Sequence, residues 1–304
     1  FSNFKETIYF ESANPFSLKD IIENLDNQVK QEVHGFLTIP DIAIDSNKKV
    51  PLVIGVAGSK DWGSHHIEYM EMYQSMGIAT FELQSFKSRG VSSTVGSQIE
   101  VTTAMIILDS YRALQFFQNH PNIDGEKIAI TGWSLGGGVA LYSGWMPIKN
   151  AISKEQSFAA HLSYYPPCFV TPDNLSFTKA PIHILAAELD EWVPAKACEE
   201  LVESIEKEKN NIELTVFKGA HHSYDRTTPL KISTKAYKFG DCRFRMDDYG
   251  MVRMNFLNIP MSTPFLQKIG FLCCTKRGPI YGGHSESRKL SFSISQNFMH
   301  EHLL

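Results

Sequence analysis

Two hydrophobic rhythms alternate along this chain. Short, nearly unbroken apolar runs occur at Pro51 to Ala57, Ile78 to Leu83, Ile128 to Thr131, Phe158 to Tyr165 and Pro181 to Ala187. Runs of that length predict strands buried on both faces. Val33 to Pro40 predicts an earlier strand, and Ile212 to Phe217 alternates as a strand should. Between them the spacing turns helical. Ile67 to Met76 predicts a helix closed by Gly77, and Val95 to Asn119 a long one with Ala104, Ile107, Leu108, Tyr111 and Leu114 on one face. His120-Pro121 and the Asp124-Gly125 turn end it. Further helices are expected from Val139, over Ala195 to Lys209, and from about Ser285 to the end. Strands alternating with helices predict an α/β protein with a mostly parallel central sheet, helices on both faces, and ligands at the carboxyl edge of the strands.

Composition adds bounds rather than identity. The 304 residues are 43% hydrophobic and 20% charged, as in an ordinary globular chain. At this length folding buries roughly three quarters of the unfolded surface, enough for a single large core. We therefore expect one domain over residues 1–304, carrying an irregular extension at about 240–284 before the last helix. That extension is rich in Met, Phe and Tyr and broken by Pro and Gly. It either packs over the mouth of the site or simply covers surface. A net charge of −4 gives no reason to expect nucleic acid or an anionic membrane as a partner. No apolar run approaches the roughly 20 residues of a membrane span.

Chemistry enters at Gly132-Trp133-Ser134-Leu135-Gly136, a Gly-x-Ser-x-Gly segment between a strand and a small-residue helix. That is the pattern of the nucleophile elbow of an α/β-hydrolase fold. It places Ser134 Oγ at the sheet edge and the Leu135 N–H, at a helix N-terminus, where an oxyanion would develop. A nucleophilic serine needs a base and a group to orient it, and in this fold the acid precedes the histidine. The loop after the Pro181 to Ala187 strand supplies Glu188, Asp190 and Glu191. Asp190 is preferred because it lies in the turn leading to Val193-Pro194. The loop after Ile212 to Phe217 supplies His221 and His222, which spacing alone does not separate. His183, inside an apolar strand, reads as a hydrogen-bonded core residue, and His120, His300 and His302 as surface positions.

Four segments in this order resemble the dienelactone hydrolase family: Ser85 to Val91 with its Ser-Phe-x-x-Arg-Gly pattern, Gly132 to Gly137, Glu188 to Pro194 with Cys198 after it, and Gly219 to Asp225. The resemblance runs over about residues 30 to 238. It implies an α/β-hydrolase fold with Ser134 as nucleophile, Asp190 as orienter and His222 as base. It also implies Leu135 N–H as one oxyanion donor. After the second core strand this chain has Ala57-Gly58-Ser59-Lys60 where the family often has His-Gly and small residues, which leaves the second donor open, Ser59 N–H first and Lys60 next. Arg89 resembles the position where family members hold a substrate carboxylate, with a structural role tying loops together as the alternative. Trp133 and Trp192 flank the three residues and are candidates for the aromatic wall of a substrate site. The namesake enzymes carry cysteine where this chain has Ser134, so a lactone substrate is not carried over.

The expected activity is hydrolysis of small-molecule carboxylic esters through an acyl-enzyme, with no cofactor. A cutinase-type polyester hydrolase, a prolyl-oligopeptidase-type peptidase and a non-catalytic binding scaffold are the alternatives. A zinc site drawing on His65, His66, His221 and His222 lacks an acidic ligand at a telling spacing. Of the five cysteines, Cys168 and Cys198 can meet across adjacent strands, and Cys242 can meet Cys273 or Cys274, leaving one thiol over. Those candidate disulfides and the start at Phe1 give the expectation of a secreted or periplasmic location.

Overall fold

A computed structural model describes residues 4–41, 48–206, 211–254 and 257–304. Strands β1 (Phe4–Ala13), β2 (Lys30–Ile39), β3 (Val50–Val56), β4 (Ala79–Leu83), β5 (Ile123–Trp133), β6 (His161–Tyr164), β8 (Ile182–Ala187) and β9 (Ile212–Phe217) form one eight-stranded sheet. A short strand β7 (Val170–Pro172) lies outside it. The order is β1-β2-β4-β3-β5-β6-β8-β9. The β1–β2 and β2–β4 pairs are antiparallel, and every later pair is parallel. With parallel strands each connection must cross a face, so helices cover both sides.

The period of two in the strands sorts residues between two cores. In β3, Leu52, Ile54 and Val56 face the helices α3 (Thr103–Phe117), α4 (Leu135–Tyr142) and α6 (Ala195–Glu206). Val53 faces the other way with Ala129, Leu162 and Leu185, under Tyr69, Met70 and Tyr73 of α2 (Ser64–Ser75) and Phe298 and Met299 of the last helix, α8 (Ser285–Leu303). Continuous apolar runs are required because both faces are dry; all seven residues of β3 are buried. Two further helices, α1 (Leu18–Asn24) and α5 (Met146–Ile152), pack against each other near the sheet end.

The expected elements mostly fall within a few residues of the observed ones. The long helix is the exception: it begins at Thr103, with Thr102 accepting the Met105 N–H as its cap, and residues 95–102 form a loop. Its predicted start at Val95 ignored Gly96 and the cap, which favour a later beginning. The predicted end of the Ala195 helix at Lys209 lies outside the described residues. Strand β1 had no counterpart in the apolar pattern because it is an edge strand with one wet face, its first four residues exposed.

The extension joins the main core. Its strands β10 (Phe244–Met246) and β11 (Val252–Met254) pair with each other, and β10 runs parallel to β7, Phe244 opposite Val170. Helix α7 (Pro264–Leu272) follows, and Phe239, Phe244, Met246 and Phe271 share the hydrophobic cluster of the α3–α4–α6 face. Disulfides Cys168–Cys198 and Cys242–Cys274 tie the β6 loop to α6 and the start of the extension to the segment just after α7, leaving Cys273 as an exposed free thiol. No helix among the described residues is long and apolar enough to cross a membrane.

Candidate active site

Ser134 sits on the turn from β5 to α4 with φ 56° and ψ −115°, a region that side chains rarely adopt. Such a backbone costs on the order of 1–3 kcal/mol and persists only where its surroundings enforce it. Here the enforcement is the crowding of glycine backbones. A Cβ on Gly132 would lie 2.0 Å from Gly136 O, and one on Gly136 would lie 2.1 Å from Val56 O. Ser134 N–H donates to Tyr164 O at 2.9 Å, and Ser134 O accepts from Gly138 N–H at 3.0 Å. The Leu135 N–H opens α4, where an amide has no intrahelical acceptor.

The other two groups arrive from the ends of β8 and β9. His222 Nε2 is 3.0 Å from Ser134 Oγ, and His222 Nδ1 is 2.7 Å from Asp190 Oδ2. The second oxygen, Asp190 Oδ1, accepts the N–H groups of Trp192 and Val193 at 2.9 Å each. The carboxylate is thus buried, fully hydrogen-bonded and fixed in rotation. The His222 ring lies between Trp192 and Tyr165, each 4.8 Å away between centroids. Its backbone is held by the extension, whose Gly282 N–H donates to His222 O at 2.9 Å. His221, half-buried, is not part of this hydrogen-bonded chain.

Ser59 lines the space beside Ser134, in a turn closed by the Asp61 N–H to Gly58 O bond of 2.9 Å. The turn is anchored from behind, Ser59 O accepting from Thr94 N–H and Ser93 Oγ. Two cavities meet at Ser134. One, of about 180 Å³, is mainly apolar; the other, of about 30 Å³, is lined by His222, Lys60, Tyr165, Arg226 and Tyr281 among others. Trp192 borders both.

Two of the residues expected to bind substrate do not line either cavity. Arg89 commits all five of its N–H groups internally: two to Asp109, one to Asn14 Oδ1 and two to the Ala13 and Ser85 carbonyls. Asp109 is fully buried and also accepts from Ser12 Oγ, so this arginine neutralises a buried carboxylate and has no donor left for a substrate. Trp133 is fully buried beneath the elbow, stacked on Tyr164 and His66 at 5.1 and 4.6 Å. A residue inside an elbow alternates to the face opposite the serine, which is why it lands in the core.

Sequence reasoning did not single out Tyr165 or Asp225. Tyr165 Oη donates to Asp225, whose carboxyl is fully buried and pushed up to about 6 by desolvation. Burial also holds His65 and His66 far below the ordinary histidine range, leaving both neutral. Among the described residues no cluster of three or more His, Cys, Asp or Glu side chains could hold a metal. The density of Phe and Met after residue 239 was the signal for the apolar wall of the larger cavity.

Comparison with known proteins places these features in a family. A candidate dienelactone hydrolase from Klebsiella pneumoniae superposes with a TM-score of 0.58 at 14% identity, covering 97% of this chain and 99% of that one. A dienelactone hydrolase-like promiscuous phosphotriesterase from metagenomic libraries gives 0.56 at 12% identity over 98% and 99%. At such identities the likeness is one of fold. A probable 2-oxo-3-(5-oxofuran-2-ylidene)propanoate lactonase of a Bradyrhizobium species is 24% identical over 123 residues, 39% of this chain. The chain thus spans about half, 48%, of the length of that curated relative. The sequence profile of the dienelactone hydrolase family matches residues 71–241, a span that contains the elbow, the acid loop and the histidine loop. With more than half of its length matched to that profile, the chain belongs to the dienelactone hydrolase family.

Proposed function

We propose that this protein is a serine hydrolase that cleaves carboxylic esters of small molecules through an acyl-enzyme intermediate. One observation carries the reading: the continuous hydrogen-bonded series from Ser134 Oγ through His222 to the doubly anchored Asp190. A non-catalytic scaffold has no need to orient an imidazole between a strained serine and a buried carboxylate.

In this reading His222 Nε2 takes the Ser134 proton as Oγ attacks the ester carbonyl. Asp190 holds the Nδ1–H tautomer and stabilises the imidazolium that forms. The tetrahedral oxyanion is received by the Leu135 and Ser59 N–H groups. His222 then returns the proton to the leaving alkoxide, which departs as the alcohol. Water, deprotonated by the same nitrogen, attacks the acyl-enzyme and releases the acid and free Ser134. The same steps open a cyclic ester.

The test compares the wild type with Ser134→Ala on simple esters, alongside labelling by a fluorophosphonate. We expect kcat to fall by roughly 10⁴-fold or more in the variant and the label to be found on Ser134 by peptide mass. Hydrolysis that survives the substitution would refute the assignment.

A further inference from the structure

The two cavities that meet at Ser134 differ in size and chemistry, and the position of His222 decides which takes which half of an ester. We propose that the larger, apolar cavity is the acyl site and that the enzyme selects esters with a long apolar acyl chain on a small alcohol. This rests on the serine-hydrolase reading above.

In acyl transfer the proton carried by the base must reach the leaving oxygen. The alcohol half therefore lies on the histidine side of Ser134 Oγ. His222 lines the smaller cavity and not the larger one. At about 30 Å³ between Lys60, Tyr165, Arg226 and Tyr281, the smaller cavity admits only a short alcohol. With the oxyanion turned to the Leu135 and Ser59 amides, the third substituent of the tetrahedral carbon points into the larger cavity. Trp192 stands between the two.

The larger cavity suits a hydrocarbon chain. Its walls include Phe169, Phe239, Phe244, Met246 and Phe271, all members of the buried core cluster. Several polar side chains along it are already engaged. Ser17 and Thr102 cap α1 and α3, and Gln267 donates to Gln98 O. The extension contributes Phe244, Met246, Val252, Met261, Gln267 and Phe271 to the wall, and the Cys242–Cys274 disulfide closes the loop that carries all six.

Ethyl octanoate and octyl acetate test this directly, because they are isomers with the long chain on opposite sides of the same ester. Each methylene buried contributes about 0.8 kcal/mol, roughly 4-fold. If three or four of the six extra acyl methylenes reach the wall, kcat/KM favours ethyl octanoate by about 100-fold. Rates are followed by pH-stat, with Ser134→Ala as the blank. In Val252→Phe, which fills part of the cavity from half-buried β11, the ratio of ethyl octanoate to ethyl acetate turnover is expected to fall at least about 10-fold. An unchanged ratio in a variant melting like wild type would overturn the assignment of the wall. Equal turnover of the isomers, or preference for octyl acetate, would overturn the proposal while leaving the serine hydrolase intact. So would a fluorophosphonate adduct on Ser134 with neither isomer hydrolysed. Absence of both the adduct and any Ser134-dependent hydrolysis would overturn the two readings together.

Discussion

Asp190→Asn separates orientation of the imidazole from mere packing. In the wild type one carboxylate oxygen accepts two backbone N–H groups at 2.9 Å and the other faces His222 Nδ1 at 2.7 Å. An asparagine has one acceptor to place. Turned toward His222, it would aim its NH₂ at two buried amides, leaving them unpaired at a cost of about 2–4 kcal/mol. The oxygen therefore stays with Trp192 and Val193, and the NH₂ donates to Nδ1. This forces the proton onto Nε2, the nitrogen that must accept from Ser134. The lost charge-assisted bond to the imidazolium adds about 1.5–3 kcal/mol. Together these raise the barrier by roughly 4–7 kcal/mol, a 10³- to 10⁵-fold loss in kcat/KM. Stability should barely move, because both amides keep their acceptor. Asp190→Ala should instead lose stability as well, by the same ~2–4 kcal/mol for the two orphaned amides. The assay is kcat/KM on a short ester together with urea melts of all three proteins. A loss under about 30-fold in Asp190→Asn would refute the reasoning. So would a melt that falls as far as that of Asp190→Ala.

Two further outcomes follow from the buried charges. Arg89→Met should destabilise the fold by about 3–5 kcal/mol, because Asp109 is left buried without its partner; urea melts measure this. If Arg89 bound substrate instead, the loss would appear in KM for carboxylate-bearing esters while stability held. For Asp225, burial raises the folded-state pKa to about 6 from 3.8. The folded protein thus holds a proton that the unfolded chain has released. Below pH 4 both states are protonated and the group contributes nothing. As pH rises from 4 through 6 it costs stability, up to about 3 kcal/mol. Asp225→Asn, which lacks this titration, should gain on the wild type by that amount between pH 4 and pH 7. Parallel stability–pH curves would count against it.

Much of the sheet could be read from the chain because a strand buried on both faces has little choice of residue. Val50–Val56 is an unbroken apolar run, and Ile182–Ala187 is broken only by His183, for that reason. The elbow is legible for a different one, since its strain is local and only glycine fits at 132 and 136. Edge strand β1 and the small sheet of β7, β10 and β11 were not legible. Their residues are sorted by what they pack against rather than by any period of their own. Arg89 shows the limit most clearly. Its segment pattern suggested a substrate contact, but a guanidinium serves a buried Asp109 as well as a ligand, and only the position of Asp109 distinguishes the two.

The sequence alone determined the α/β class, the order of the motifs and the residue types available for acyl transfer, because these depend on local periodicity and on glycine sterics. Tertiary structure decided the rest. His222 rather than His221 approaches Ser134, Trp192 rather than Trp133 borders the cavities, and the extension adds Phe244, Met246 and Phe271 to the apolar wall. Those outcomes depend on the direction in which neighbouring side chains point at the carboxyl edge of the sheet. Direction there is set by strand register and loop packing between segments far apart in the chain.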